Sequence, residues 1–254
     1  MRSGLFETMR CYNGKVFALG RHLDRLVRSC PVLGMKAPSR KALEKAVKAA
    51  IAKDRLIDAA LKLEVFKSGK RNRIAVFKRR FSPPTAAGYK KGFSIVLFRD
   101  EKIAPSVVNS VKSLDRHFYQ RLAERARKAG FDEAIFLNAG NEVAEGSRTN
   151  IFLVKGRMVT TPRLASGCLP GVTRAIVLRL LKKLKVVVEE RRISPEELLG
   201  QDEIFLTNSL IEVMPATRLD KKVVGTGKPG RLTQKIMDMY KKEVEKECGL
   251  VYNV

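Results

Sequence analysis

The chain has 254 residues, enough to bury a sizeable core as one large or two smaller domains. Its formal charge is +25, but the 51 Lys and Arg are spread along the chain, without zinc-finger spacing or an aromatic-rich basic strand. That pattern argues for a solvated basic surface that draws in anions, and against a specific nucleic-acid groove.

The hydrophobic fraction is 44%, and no apolar run approaches membrane-span length. Glu7 stands where a signal peptide would be apolar, which predicts a cytoplasmic protein. Cys11, Cys30, Cys168 and Cys248 lack CxxC spacing, so neither a disulfide framework nor a zinc site is expected. Two histidines, His22 and His117, leave little for a catalytic metal, and none is expected.

In chain order, residues 5–11 and 15–19 read as strands joined at Asn13-Gly14, a hairpin signal. Residues 21–29 read as a helix that stops before Pro31, and Ser39 starts a longer helix through residue 52. Residues 60–66, 73–78 and 93–98 follow as strands, with Pro83-Pro84 as a loop. The polar segment 99–108, with Pro105, reads as a linker between a domain of residues 1–98 and one of residues 109–254. Residues 115–129 are predicted helical, and 133–137, 151–154 and 158–161 extended. An amphipathic helix is expected over 173–185. Ser194-Pro195-Glu196-Glu197 reads as a capping box. Short strands at 204–207 and 211–214 precede a closing helix over 231–247.

Three runs carry chemistry. Lys112 opens Lys112-Ser113-Leu114-Asp115-Arg116, and Glu145 follows 33 residues later (145 − 112) in Glu145-Gly146-Ser147-Arg148-Thr149-Asn150. Leu169-Pro170-Gly171-Val172-Thr173-Arg174 then leads into a helix. An amine is the side chain that holds an aldehyde covalently, and lysine becomes nucleophilic when burial or nearby cations free its neutral form. A carboxylate keeps a pyridine nitrogen protonated. A glycine-bearing helix start offers backbone N–H groups and a positive dipole end to a phosphate. Amine, carboxylate and phosphate turn together point to pyridoxal 5'-phosphate (PLP).

Each residue alone has a duller reading. Lys112 is one lysine among many, Glu145 can pair with Arg148, and Arg25 reads as the polar side of a helix whose core face is Leu23, Leu26 and Val27. Thr173 is an ordinary helix-start residue and Ser209 an ordinary turn serine. Gly225-Thr226-Gly227-Lys228-Pro229-Gly230 fits GxGxxG, but only a helix and a short tail follow it, so it reads as a turn. No GxSxG or GxxxxGK[ST] run is present.

The ordered motifs resemble those of fold-type IV PLP enzymes. That group holds branched-chain aminotransferases, D-amino-acid aminotransferases and aminodeoxychorismate lyase. The resemblance rests on Gly4-Leu5-Phe6-Glu7-Thr8-Met9-Arg10, His22-Leu23-Asp24-Arg25-Leu26, the three runs above, and Thr207-Asn208-Ser209-Leu210-Ile211-Glu212-Val213-Met214-Pro215. It implies a two-domain α+β fold, with a small N-terminal α/β domain and a larger C-terminal pseudo-barrel domain. It further implies a Lys112 aldimine, Glu145 on the ring nitrogen, and phosphate held by Arg25, the amides of Val172 and Thr173, and Ser209.

The activity implied is ping-pong transamination between an amino acid and a 2-keto acid, in a homodimer. The alternative within the group is aminodeoxychorismate lyase, which forms 4-aminobenzoate and pyruvate. The alternative outside it is a basic binding protein without catalysis, against which Lys112, Glu145 and the phosphate turn argue. Lys62 and Arg99 are the candidates for a substrate carboxylate, each with a surface-charge reading beside it.

Overall fold

The computed structural model describes residues 3–69, 71–79, 81–103 and 110–249. The chain divides into two compact units. One takes Met1–Pro83, Val107–Asp115 and Lys241–Val254; the other takes Pro84–Ser106 and Arg116–Tyr240.

In the first unit β1 (Gly4–Tyr12) turns through Asn13 and Gly14, at φ of 48° and 75°, into the short β2 (Lys15–Val16). Positive φ at both turn positions is what a two-residue hairpin needs, and Asn-Gly supplies it at low cost. Helix α1 (Leu19–Ser29) runs into a 3-10 turn holding Pro31. Helix α2 (Arg40–Asp54) begins where the Ser39 hydroxyl accepts from Ala42 N at 3.2 Å. β3 (Ala59–Ser68) and β4 (Arg71–Arg79) complete an antiparallel sheet of order β2-β1-β3-β4. Period-two alternation sends Leu5, Met9 and Cys11 of β1 and Leu61, Leu63 and Val65 of β3 to one face. There they pack with Leu23 and Leu26 of α1 and with Leu43 and Val47 of α2. Each such side chain contributes about 1.5–3 kcal/mol on full burial.

Residues 112–114 add themselves to the edge of β1. Phe6 N donates to the Lys112 carbonyl at 2.9 Å, Leu114 N donates to the Gly4 carbonyl at 2.8 Å, and Leu5 bridges Ser113. Gly4 is required here, because a Cβ would overlap the Val65 carbonyl and the Leu114 side chain.

The second unit holds α3 (Ala86–Lys91), β5 (Phe93–Ile103), α4 (His117–Lys128), β6 (Glu133–Asn138), β7 (Val143–Gly146), β8 (Asn150–Lys155) and β9 (Met158–Pro162). It continues with α5 (Val172–Lys183), β10 (Val187–Arg191), β11 (Glu203–Asn208), β12 (Glu212–Leu219), β13 (Lys222–Val223) and the start of α6 (Arg231–Cys248). The strands follow the path β10-β9-β8-β11-β12-β5-β6-β7, with β13 added to β12. β6 explains why such strands are apolar throughout: Ile135 and Leu137 enter one core cluster, while Ala134 and Phe136 enter another with Tyr119 and Leu122 of α4. Among the described residues, no helix is long and apolar enough to cross a membrane.

Several expectations change. Residues 99–103 of the expected linker belong to β5, which continues past a register shift beside β6; residues 104–109 lie outside the described residues. The two units therefore do not follow the linear division into 1–98 and 109–254, since β5 is hydrogen-bonded to β6 and β12. Helix α3 follows the Pro83-Pro84 loop because the Thr85 hydroxyl caps it, accepting from Gly88 N at 3.1 Å. Of the expected capping box at Ser194 only one half is seen, Ser194 N donating to Glu197 Oε2 at 2.8 Å; no side chain caps the turn, which is a 3-10 helix over Glu196–Leu198 with Pro195 as its N-cap.

Candidate active site

In the first unit, Lys112 and Arg25 both meet β1. The Lys112 backbone pairs with Phe6, and its Nζ lies 4.7 Å from the centroid of the Phe6 ring. Lys62 Nζ lies 4.8 Å from the same ring and pairs with Glu64 at 2.6 Å. An ammonium over an aromatic face is held by the ring quadrupole, so Phe6 organises both lysines.

Arg25 is not on the polar face of α1; it is 7% exposed. Its Nε and one Nη donate to Glu7 at 2.8 and 2.5 Å. His22, three residues earlier on α1, contacts the same carboxylate through Nδ1 at 2.7 Å. Burial opposes ionisation of Glu7, but the Arg25 charge and the His22 hydrogen bond outweigh it, and the carboxyl is lowered to about 2. Burial dominates at His22 and lowers its pKa. Glu7 works against that, and the positive charges of Arg25 and Lys112 work with it.

In the second unit, Glu145 sits on β7 and is 5% exposed. Its Oε2 accepts from Asn150 Nδ2 at 3.0 Å and from Leu169 N at 2.9 Å. Asn150 Nδ2 also donates to the Leu169 carbonyl at 2.9 Å. One carboxamide thus ties the carboxylate to the turn that opens α5. Gly171 is the N-cap of that helix, and a Cβ there would overlap the Asn150 carboxamide oxygen. No side chain caps this helix start and its first turn holds no acidic residue, so its amide end keeps the character of an anion site. Val172 and Thr173 are buried beneath it.

Ser209 lies in the turn between β11 and β12. Asn208 shapes that turn by accepting from Leu210 N at 2.8 Å and Ile211 N at 2.9 Å. The same side chain donates to the Arg148 carbonyl at 3.0 Å, which fastens the Ser209 turn to the 146–149 loop. Beneath that loop lies Glu133, 1% exposed. It accepts from Ala134 N, Ser147 N, the Ser147 hydroxyl, Arg148 N and the Thr149 hydroxyl. Burial pushes the Glu133 pKa up, against the pull of Arg148 and these donors. Arg116 stacks 3.5 Å from the Tyr119 ring centroid and donates to the Ser147 carbonyl at 3.0 Å.

Lys112 and Arg25 therefore share one strand in one unit, and Glu145, Val172, Thr173 and Ser209 share one hydrogen-bonded frame in the other. Arg99 pairs with Glu196 at 3.0 Å where both are largely exposed, which matches its surface reading. The sequence reading passed over Glu7, His22, Glu133, Asn150 and Asn208 as site residues. Glu7, His22, Asn150 and Asn208 lay inside the quoted motifs, yet nothing in a sequence tells which partner a buried polar side chain will find. Glu133 lay outside every motif, and its one signal was a carboxylate opening an apolar strand.

The first unit offers a lysine amine and a buried guanidinium, and the second an oriented carboxylate and a helix start that excludes a Cβ; these are the group types a phosphorylated pyridine aldehyde takes. The amino-transferase class IV family matches residues 4–219. Branched-chain-amino-acid aminotransferase-like protein 2 of Arabidopsis thaliana is 33% identical over 94% of this chain; the chain spans only 45% of that relative's length. Aminodeoxychorismate lyase of Bacillus subtilis is 30% identical, covering 95% of this chain and 86% of its own. A branched-chain aminotransferase of Thermoproteus uzoniensis, solved with norvaline, has a TM-score of 0.88 at 29% identity over 96% of this chain and 86% of that one. The chain belongs to the class IV aminotransferase family, whose two-domain α+β fold works with pyridoxal 5'-phosphate.

Proposed function

We propose that this protein is an aminotransferase that moves an amino group from an amino acid to a 2-keto acid in a ping-pong cycle. The observation that carries the reading is Lys112, fixed by its backbone to β1 with its ammonium against Phe6. When bound, pyridoxal phosphate supplies an aldehyde that exchanges amines and a ring that takes up the electron pair left on the substrate Cα.

The Lys112 amine would hold the cofactor aldehyde and, once free, would take the proton from the substrate Cα and deliver it to the former aldehyde carbon, base and acid on a single atom. Glu145, oriented by Asn150 and the Leu169 amide, would keep the proton on the ring nitrogen. Arg25, the amides of Val172 and Thr173, and Ser209 would hold the phosphate, through a guanidinium charge, a helix-start dipole and a hydroxyl.

A second reading is the lyase, in which the same lysine serves to release pyruvate and leave 4-aminobenzoate. The Bacillus subtilis relative favours it. Purified protein should be yellow, and borohydride should fix the cofactor as a mass shift on the Lys112 peptide. Single L- or D-amino acids should bleach that colour and yield keto acid. Failure with every amino acid, but pyruvate from aminodeoxychorismate, gives the lyase. A colourless protein that takes up no added cofactor refutes both.

A further inference from the structure

Strand β1 holds two groups, the Lys112 segment and Arg25, that under the proposed function engage the aldehyde and the phosphate of one cofactor. At residue 6 its amide pins the Lys112 carbonyl at 2.9 Å, so the lysine segment lies along the strand's edge. At residue 7 its side chain grips Arg25 through Nε and one Nη at 2.8 and 2.5 Å. His22 braces the same carboxylate at 2.7 Å. Glu7, His22 and Arg25 are 1%, 2% and 7% exposed. Lys112 is within electrostatic reach of His22, since its charge opposes protonation of that ring.

Packing alone does not call for such a cluster. Apolar residues of similar volume commonly stabilise as well as a buried ion pair or better. What a carboxylate does, and an apolar residue cannot, is hold a planar guanidinium in one orientation. Two effects of Glu7 on a bound phosphate compete. Its negative charge repels the phosphate, while its hydrogen bonds keep Arg25 in place. A guanidinium that loses its buried partner is left as a buried charge with nothing to fix its plane, so orientation wins.

We infer that Glu7, braced by His22, is a positioning residue that sets Arg25 for the cofactor phosphate relative to the Lys112 amine. The inference rests on the reading of the chain as a pyridoxal phosphate enzyme.

The test uses the full chain stripped of cofactor and titrated with pyridoxal phosphate and with pyridoxal, the same aldehyde without phosphate. The readout is the yellow absorbance of the lysine adduct. Wild type should prefer the phosphorylated aldehyde strongly. Glu7→Gln should weaken it by about tenfold or more while leaving pyridoxal within about twofold, because only a preorganised phosphate contact is lost. His22→Asn removes the brace but keeps the Arg25 pair, and should shift the ratio the same way by less. It decides the matter if Glu7→Gln does not fold. An unchanged ratio, an equal fall for both aldehydes, or tighter phosphate binding overturns the inference and leaves the cofactor assignment standing. Wild-type protein that forms no adduct with either aldehyde overturns the assignment, and the inference with it.

Discussion

Acid should weaken the first unit by a definable amount, and Glu7→Gln should abolish that part of the loss. Glu7 is buried and ionised, bonded by Arg25 and His22, with its carboxyl lowered from the usual 4.5 to about 2. An unfolded chain binds a proton there near 4.5. Below that pH the unfolded state gains a proton that the folded state refuses, so the stabilisation is complete above 4.5 and is lost as pH falls toward 2. At about 1.4 kcal/mol for each tenfold, the full loss is about 3 kcal/mol, of which about 2 kcal/mol has gone by pH 3. His22, whose pKa is lowered mainly by burial, adds a loss of the same sign that begins near its ordinary 6.5. Comparing the two proteins separates the contributions. Hydrogen exchange of the β1 and α1 amides, and denaturant unfolding, would be measured from pH 7 to pH 3. At pH 7 Glu7→Gln should be less stable by about 3–5 kcal/mol, because Arg25 is left buried without its carboxylate. That gap should narrow by about 2 kcal/mol on reaching pH 3. A gap that stays constant over this range would mean that Glu7 is not ionised in the folded protein, and the argument fails.

Lys112→Ala should abolish turnover and leave no borohydride-fixed adduct on any peptide; a persistent adduct elsewhere refutes its role. Gly171→Ala places a methyl group onto the Asn150 carboxamide, and should cost about 1–3 kcal/mol in thermal stability while weakening pyridoxal phosphate more than pyridoxal. Equal weakening of both would count against the phosphate turn. Glu133→Gln turns one acceptor oxygen into a donor facing the donors of Ser147, Arg148 and Thr149. It should destabilise the protein by about 1–3 kcal/mol and slow turnover with it. Unchanged unfolding would mean that the loop does not depend on this carboxylate.

The reach of the sequence differs between elements. The Asn13-Gly14 hairpin, the Ser39 start of α2 and the buried β6, β8 and β11 were legible because each depends on local chemistry: a turn's positive φ, a capping hydroxyl, an unbroken apolar run. The four-residue β7 that carries Glu145 was not legible, being too short to show a period. Nor was β5 beyond Phe98, where the polar residues 99–102 stay in the strand and pairing with β6 resumes at Lys102 and Ile103 past a register shift. Arg25 shows the limit most clearly. Its helical spacing places it among polar residues, and a carboxylate 18 residues earlier on a strand draws it inward.

The order of motifs from Gly4 to Pro215 was enough, by itself, to point to the family and its cofactor. Residue types and spacing are one-dimensional facts that chemistry can read. Which polar side chains hold those residues in place was decided only by the tertiary structure. A buried carboxylate such as Glu7 or Glu133 is stable only when folding delivers several donors to it at once, and those donors come from segments far apart in the chain.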